Sequence, residues 1–302
     1  MKMKLKKGLL GTQGTDGILV RIFLYVALIG IGFVFLFPLL YMVAFGFQSL
    51  DDLLSVTVHW IPSSFYMGNF QHAIRVMNFI PTLLETLYIT LVPTVLQVIM
   101  CAFIGYGFAR FEFRGKRVLL ILVLSTFIIP PSVLLIPRYL LFHNMGILGS
   151  IASYALPAAL GQGLNSAIFI LIFFQTFRAL PKALEEAAQL DGAGHFKIFV
   201  KIALPLATSA IIVSLLFSFV WYWNETYLVA IYFRDAFTTL PLELDRFIQS
   251  FNEMFARVEG TNINEGIEMA GTLLAIVPLL LLFFVMQRWF VESVDRSGIA
   301  GE

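Results

Sequence analysis

The amino-acid sequence predicts an all-α integral membrane protein with six transmembrane helices and both termini on the cytoplasmic side. Three observations carry this expectation. The 302 residues are 59% hydrophobic and only 13% charged, with a mean hydropathy of +0.87; soluble domains carry about 25% charged residues. Six apolar runs reach the roughly 20 residues needed to span a bilayer. With six spans, fifteen of the twenty Lys and Arg fall on the side that holds the termini and five on the other, a strong positive-inside bias.

Residues 1–20 form an N-terminal tail with lysines at 2, 4, 6 and 7. The apolar run behind it is too long for a signal-peptide core and lacks a small-residue cleavage site, so the first span is expected to stay uncleaved. The expected spans are 21–44, with Pro38 a kink; 83–108, with Pro93 inside; 118–136, ending at Pro130-Pro131 or just beyond; 151–177, interrupted by Pro157, Gly161 and Gly163; 206–230; and 270–290. Polar connections lie at 48–80 and 234–268. Residues 21–290 thus make one membrane domain, with a cytoplasmic loop at 178–205 and a cytoplasmic tail at 291–302.

The loop before the fifth span is the longest stretch of the second half that could not sit in a bilayer. Pro181 suits a first helical turn, and 182–190 are good helix formers with Glu185 and Glu186 placed early, where the helix dipole favours them. Asp191-Gly192-Ala193-Gly194 is a stop, with Gly192 free to go left-handed. A second short helix follows from His195, with Phe196, Phe199 and Val200 on one face and Lys197 and Lys201 on another. Pro205 breaks the pattern and starts the next apolar run.

Several chemistries are excluded. No G-x-x-x-x-G-K-[ST] loop exists; the lone Gly-Lys pair, Gly115-Lys116, lacks the preceding glycine. His59, His72, His143 and His195 have no metal-ligand spacing, Cys101 is the single cysteine, and no serine sits in a nucleophile elbow. Net charge of +1 speaks against nucleic acid as a partner. The chain is therefore expected to be non-catalytic and to bind no cofactor. Five polar residues in or near spans are candidates for lining a pathway: Gln97, Gln162, Asn165, Asn224 and Glu225. Each has a plainer reading as well. Gln97 suits helix packing. Gln162 and Asn165 suit an ordinary kink, and Asn224 with Glu225 an interfacial position beside Trp221-Tyr222-Trp223. Glu85 opens the second span in the same ambiguous way. Phe173, Phe174 and Phe177 are expected to pack against lipid or core.

One pattern is more specific. Glu186-Ala187-Ala188, three residues, Gly192, nine residues, Ile202, one residue, Leu204-Pro205 resembles the E-A-A-x3-G-x9-I-x-L-P signature of the membrane subunits of bacterial ATP-binding-cassette importers. The stretch from Ala109 to Lys116, Trp223-Asn224-Glu225, and Phe174 to Phe177 ahead of Leu180-Pro181 resemble elements of the carbohydrate-uptake branch. The likeness is to six-span subunits of the kind represented by the second maltose permease. It implies a type I importer permease fold in the bacterial inner membrane. It also implies a pathway for a sugar or oligosaccharide shared with a second permease, and a periplasmic or lipid-anchored solute-binding protein. ATP would be used by a cytoplasmic ATPase dimer, and membrane lipid would surround the spans. The helix starting at Pro181 would be the coupling helix, with Glu185, Glu186, Ala187, Ala188, Asp191, Gly192, Leu204 and Pro205 as the coupling residues. The tail from Gln287 resembles family tails that reach toward the ATPases. In the maltose system the corresponding partner contributes little to sugar contacts, which would make Asn224 and Glu225 structural. The rival readings are an importer permease for a non-sugar solute, a membrane scaffold, and an ion-coupled secondary transporter; the absence of paired intramembrane carboxylates speaks against the last.

Overall fold

The computed structural model describes residues 11–12, 15–57, 60–255 and 262–298, with side chains described for 17–57, 60–255 and 262–289. The N-terminal lysines, Arg257 and the last four residues lie outside these. Apart from a two-residue antiparallel pairing of Gly11–Thr12 with Thr15–Asp16, the regular secondary structure of the described residues is helix, joined by turns and short loops. Three helices are long and apolar enough to cross a membrane unaided: Ile18–Gly46 (α1), Phe79–Arg110 (α2) and the stretch Glu265–Trp289. The count reaches six if each of three bent helix pairs forms one span.

A proline pair marks the break in the third expected span and positive-φ positions the break in the fourth. The third does not run to 136. Helix Lys116–Ile128 (α3) ends before Pro130, and the chain turns through 100° into Pro131–Asn144 (α4). Ile129 precedes a proline and is held extended, at φ −72° and ψ 120°. The fourth is interrupted at its glycines, while Pro157 stays inside a helix. Ala152–Ala159 stops, the chain passes Gly161 (φ +70°) and Asn165 (φ +53°), and Ser166–Ala179 (α5) begins. The fifth is Thr208–Trp223 (α7), broken at 224–226 before a short helix Tyr227–Tyr232. Pro205 does not break its own helix. The 78° bend falls after it, at Ala207 (φ −95°, ψ 17°). The last helix, Glu265–Gly298 (α8), starts earlier than expected and stays helical through most of the expected tail.

The chain divides into two compact units, Met1–Ala73 with Phe255–Leu274, and Ile74–Met254 with Ala275–Glu302. In the first, α1 runs unbroken through Pro38. Its end is secured by the buried Asn69, whose amide donates to the carbonyl of Gly46 (3.0 Å), an acceptor the helix terminus would otherwise leave unmet, and to that of Gln48 (2.7 Å) just beyond it. Tyr41 donates to Glu265 Oε1 at 2.5 Å. Asp52 accepts from the hydroxyl (2.6 Å) and backbone N–H (3.2 Å) of Ser63, closing the loop after α1.

In the second unit α2 is the central helix, packed on α5 and α7. One stripe of it is buried and mostly small or hydroxylated: Thr82, Thr86, Thr90, Thr94, Gln97, Cys101 and Gly105. Small residues at this spacing let helix backbones approach closely. A Cβ on Gly105 would lie 2.6 Å from Phe173 Cβ and 2.9 Å from the Phe174 nitrogen. Phe173 and Phe177 are fully buried against Tyr106 and Phe199 in this core, while Phe174 lies at its edge. A second cluster gathers Ile89, Phe142, Tyr154, Tyr222 and Tyr232.

Candidate functional site

Two places concentrate the sequence-predicted residues, one at each end of α5. The first is the loop that follows α5. At Leu180-Pro181 the chain bends by 71° into helix Lys182–Leu190 (α6), with Pro181 as its N-cap. The helix stops by a Schellman motif. Gly192 N–H donates to Gln189 O and Ala193 N–H to Ala188 O, both at 2.9 Å, and Gly192 takes φ +77°. That geometry needs a left-handed residue just past the helix, which glycine adopts without penalty. A Cβ there would meet nothing within 4 Å, so the constraint is backbone conformation rather than space.

The returning segment runs through His195–Ile198, a wide π turn Phe199–Ala203, and Leu204–Leu206. It buries Ile198, Phe199 and Ala203, where the sequence grouped Phe196, Phe199 and Val200. Phe196 and Val200 are exposed. The π turn carries more residues per turn than an α-helix, which shifts the buried face. This segment is therefore seated in the α2–α5 core, while α6 stands out from it.

The two adjacent glutamates of α6 part company, since neighbouring helical residues point about 100° apart. Glu186 is exposed with Ala187, Gln189 and Leu190. Glu185 turns inward. Its Oε1 lies 2.7 Å from Arg110 Nε, with the side chains 6% (Arg110) and 13% (Glu185) exposed. Arg110 Nη2 also donates to the carbonyl of Leu180 at 2.9 Å. Of the other predicted coupling residues, Asp191, Gly192 and Pro205 are exposed, and Ala188 and Leu204 are half-buried.

The second place is a cleft of about 480 Å³ at the opposite end of α5. Its walls come from the α3–α4 bend, the break before α5 and the break after α7. Four of the five predicted pathway residues line it: Gln162, Asn165, Asn224 and Glu225. Arg138 and Trp221 join them; the sequence had not singled out Arg138, the one arginine of a mostly apolar helix, just behind Pro137. Asn224 Nδ2 donates to Val220 O and Glu225 Oε1 accepts from Leu228 N–H, each at 2.9 Å. Both side chains thus hold the ends of the broken helix as well as facing the cleft.

Gln97 is not brought to the cleft. It is fully buried behind it. Its Nε2 donates to Leu164 O at 2.6 Å, and its Oε1 accepts the Tyr222 hydroxyl at 2.8 Å. That hydroxyl in turn accepts from Leu164 N–H at 3.2 Å. Glu85 also lies outside the cleft, half-buried, with Oε2 accepting from Thr238 N–H at 2.9 Å. Among the described residues no group of three or more His, Cys, Asp or Glu could hold a metal ion.

Residues 97–296 match the family of the binding-protein-dependent transport system inner membrane component. The chain belongs to that family. Among its relatives are the osmoprotective compounds uptake permease protein GgtD of Synechocystis sp., 30% identical with 91% of each chain covered. The arabinooligosaccharides transport system permease protein AraQ of Halalkalibacterium halodurans is 28% identical over 90% of this chain and 93% of that protein. The diacetylchitobiose uptake system permease protein DasC of Streptomyces coelicolor is 27% identical over 88% and 92%. The fold is that of a chain from a bacterial ABC transporter that imports the acidic polysaccharide alginate. That match has a TM-score of 0.75 at 23% identity and covers 91% of this chain and 99% of that one. This inner membrane component is thus a permease subunit of an ABC importer, and membership sets aside the ion-coupled and scaffold readings. The matched region contains both the α6 loop and the cleft.

Proposed function

We propose that this permease forms one wall of the import pathway for a sugar or oligosaccharide, with the cleft on that pathway and α6 as the docking helix for an ATPase subunit. The observation that carries this reading is the cleft. It lies where helix breaks come together, and unwound backbone at membrane depth is tolerated only beside protein or water. Its polar lining of Gln162, Asn165, Asn224, Glu225 and Arg138 offers hydrogen-bond donors and acceptors, and Trp221 offers an aromatic surface. Such a mixture suits hydroxyl-rich solutes. AraQ and DasC are named for oligosaccharide uptake, which supports the sugar class; GgtD is named for osmoprotective compounds, which makes small osmolytes the rival cargo.

The termini and the 178–205 loop lie on the cytoplasmic side, as the fifteen-to-five distribution of Lys and Arg favours. Partner subunits bind and hydrolyse ATP, because this chain has no phosphate-cradling loop. A second permease completes the pathway, and an external binding protein delivers the solute. Glu186, exposed on α6, makes the charge-assisted contact with the ATPase. Closing of the ATPases carries α6 along and switches the pathway between its inward and outward states.

The test is ATP hydrolysis by the complex purified with its ATPases and binding protein. Arabinooligosaccharides, diacetylchitobiose and glycine betaine are offered in turn. Stimulation by a saccharide is expected. Stimulation by the osmolyte alone overturns the sugar class, and hydrolysis indifferent to every loaded binding protein overturns the importer reading.

A further inference from the structure

Movement of α6 has to reach a cleft at the far end of α5. The contacts of α6 with the rest of the chain offer a route. Most of α6 is exposed, and Glu185 carries its ion pair, made with the last residue of α2. Arg110 grips two points at once: Glu185 on α6 through Nε, and the Leu180 carbonyl at the 71° bend through Nη2. The Nε contact is an ion pair held by proximity and charge, without hydrogen-bond alignment; the Nη2 hydrogen bond to Leu180 is the directional one, and the guanidinium stays charged throughout. Removing one partner leaves a desolvated charge uncompensated, so the link resists being pulled apart.

From Arg110, α2 runs back continuously to Gln97, thirteen residues or about 20 Å along the axis. Gln97 holds the backbone of Leu164, and Leu164 sits in the cleft wall between Gln162 and Asn165. One rigid helix therefore has the docking helix tied to one end and the cleft wall tied near its middle.

We propose that Arg110 is the positioning residue through which movement of α6 is passed to α2, and that Gln97 passes it on to the cleft wall at Leu164. This rests on the proposed docking of α6 on an ATPase. Pro181 alone could not do it, since a proline bend sets a direction but ties α6 to nothing. The adjacent glutamates divide the work: Glu186 faces the partner, and Glu185 faces Arg110.

The experiment uses the assembled importer in proteoliposomes, with Gln162→Cys as a reporter in the cleft; the native Cys101 is fully buried. Maleimide labelling is compared between the nucleotide-free complex and the complex trapped with MgATP and vanadate. With Arg110 intact, the labelling rate is expected to differ between the two states. In Arg110→Gln and in Glu185→Gln that ratio should shrink at least about fivefold, the lower end of a coupling between sites. Assembly and vanadate trapping of the ATPases should persist, which a merely structural loss would not allow. The double variant should be no worse than either single one, as expected for two residues acting as one link. A wild-type ratio in both single variants overturns the proposal. If Arg110→Gln does not assemble, Glu185→Gln decides alone, since it keeps side-chain shape and leaves the Leu180 contact in place. No state-dependent labelling with Arg110 intact overturns the docking reading itself, and this one with it.

Discussion

Tyr222 donates its hydroxyl to Gln97 Oε1 at 2.8 Å, joining α7 to α2 inside the core. The pair then closes on both backbone groups of Leu164, one accepting and one donating. Three consequences follow from that arrangement. The break before α5 is a held structure, because its polar backbone is paired by side chains from two other helices. Its shape depends on residues that never touch the cleft. And the glycine beside it has no room for a side chain, since a Cβ on Gly163 would lie 2.3 Å from Gln97 Oε1 and 2.5 Å from the Tyr222 hydroxyl.

Gly163→Ala is therefore expected to force Gln97 and Tyr222 apart and to cost about 1–3 kcal/mol, the usual penalty of overpacking. Gln97→Leu is expected to cost a similar amount by leaving Leu164 O and the Tyr222 hydroxyl without their partner. Thermal melting of the purified complex checks both. A melting temperature equal to that of the unsubstituted protein in either variant would show that the network is incidental.

Gly192→Ala should strain the Schellman cap of α6. An alanine at φ +77° costs on the order of 1 kcal/mol, without any steric clash. Assembly is expected to survive, with weakened solute stimulation of ATP hydrolysis. An asparagine at the same position tolerates the left-handed conformation better and should recover part of the loss.

Glu186→Lys tests the exposed side of α6. The residue packs against nothing in this chain that its loss would unsettle, so melting of the isolated subunit should stay within about 0.5 kcal/mol. Recovery of the ATPase on purification should fall sharply. Full recovery would remove Glu186 from the docking surface.

Asp52 gives the loop after α1 a pH dependence. The hydrogen bond from the Ser63 hydroxyl is the main influence lowering its pKa below the ordinary 3.8, against a smaller desolvation effect that raises it. A carboxylate with a depressed folded-state pKa stabilises above its unfolded value, and that stability is lost as pH falls through the folded one. Fluorescence of Trp60, which packs edge-on to Phe37 at 5.3 Å, should hold steady from neutral pH to about 4 and change only below. Ser63→Ala should move that change to higher pH.

How much was legible without the fold divides along physical lines. The membrane class, the six apolar runs, the α6 helix, its stop at Gly192 and the absence of a phosphate loop are local or compositional properties. Burial of apolar surface in lipid and the left-handed freedom of glycine act within a few residues, so a linear reading reaches them. Glu185 and Glu186 both stood among the expected coupling residues, with Glu186 the expected contact to the ATPase; that Glu185 turns inward follows only from the arrival of Arg110 from 75 positions earlier. Gln97 looked like Gln162 and Asn165 as a polar residue in a span, yet it is buried behind the wall that they form. Arg138 and Trp221 entered the cleft because chain turns at Pro130, Asn165 and Asn224 brought three segments together. The i, i+4 series of threonines on α2 was a readable sign of close helix packing, but which helices would pack there was not written in it. The sequence by itself determined what kind of protein this is and where α6 begins and ends. The tertiary structure alone decided which polar residues face the cleft and which hold it in shape, because hydrogen-bond partners distant along the chain are chosen by packing.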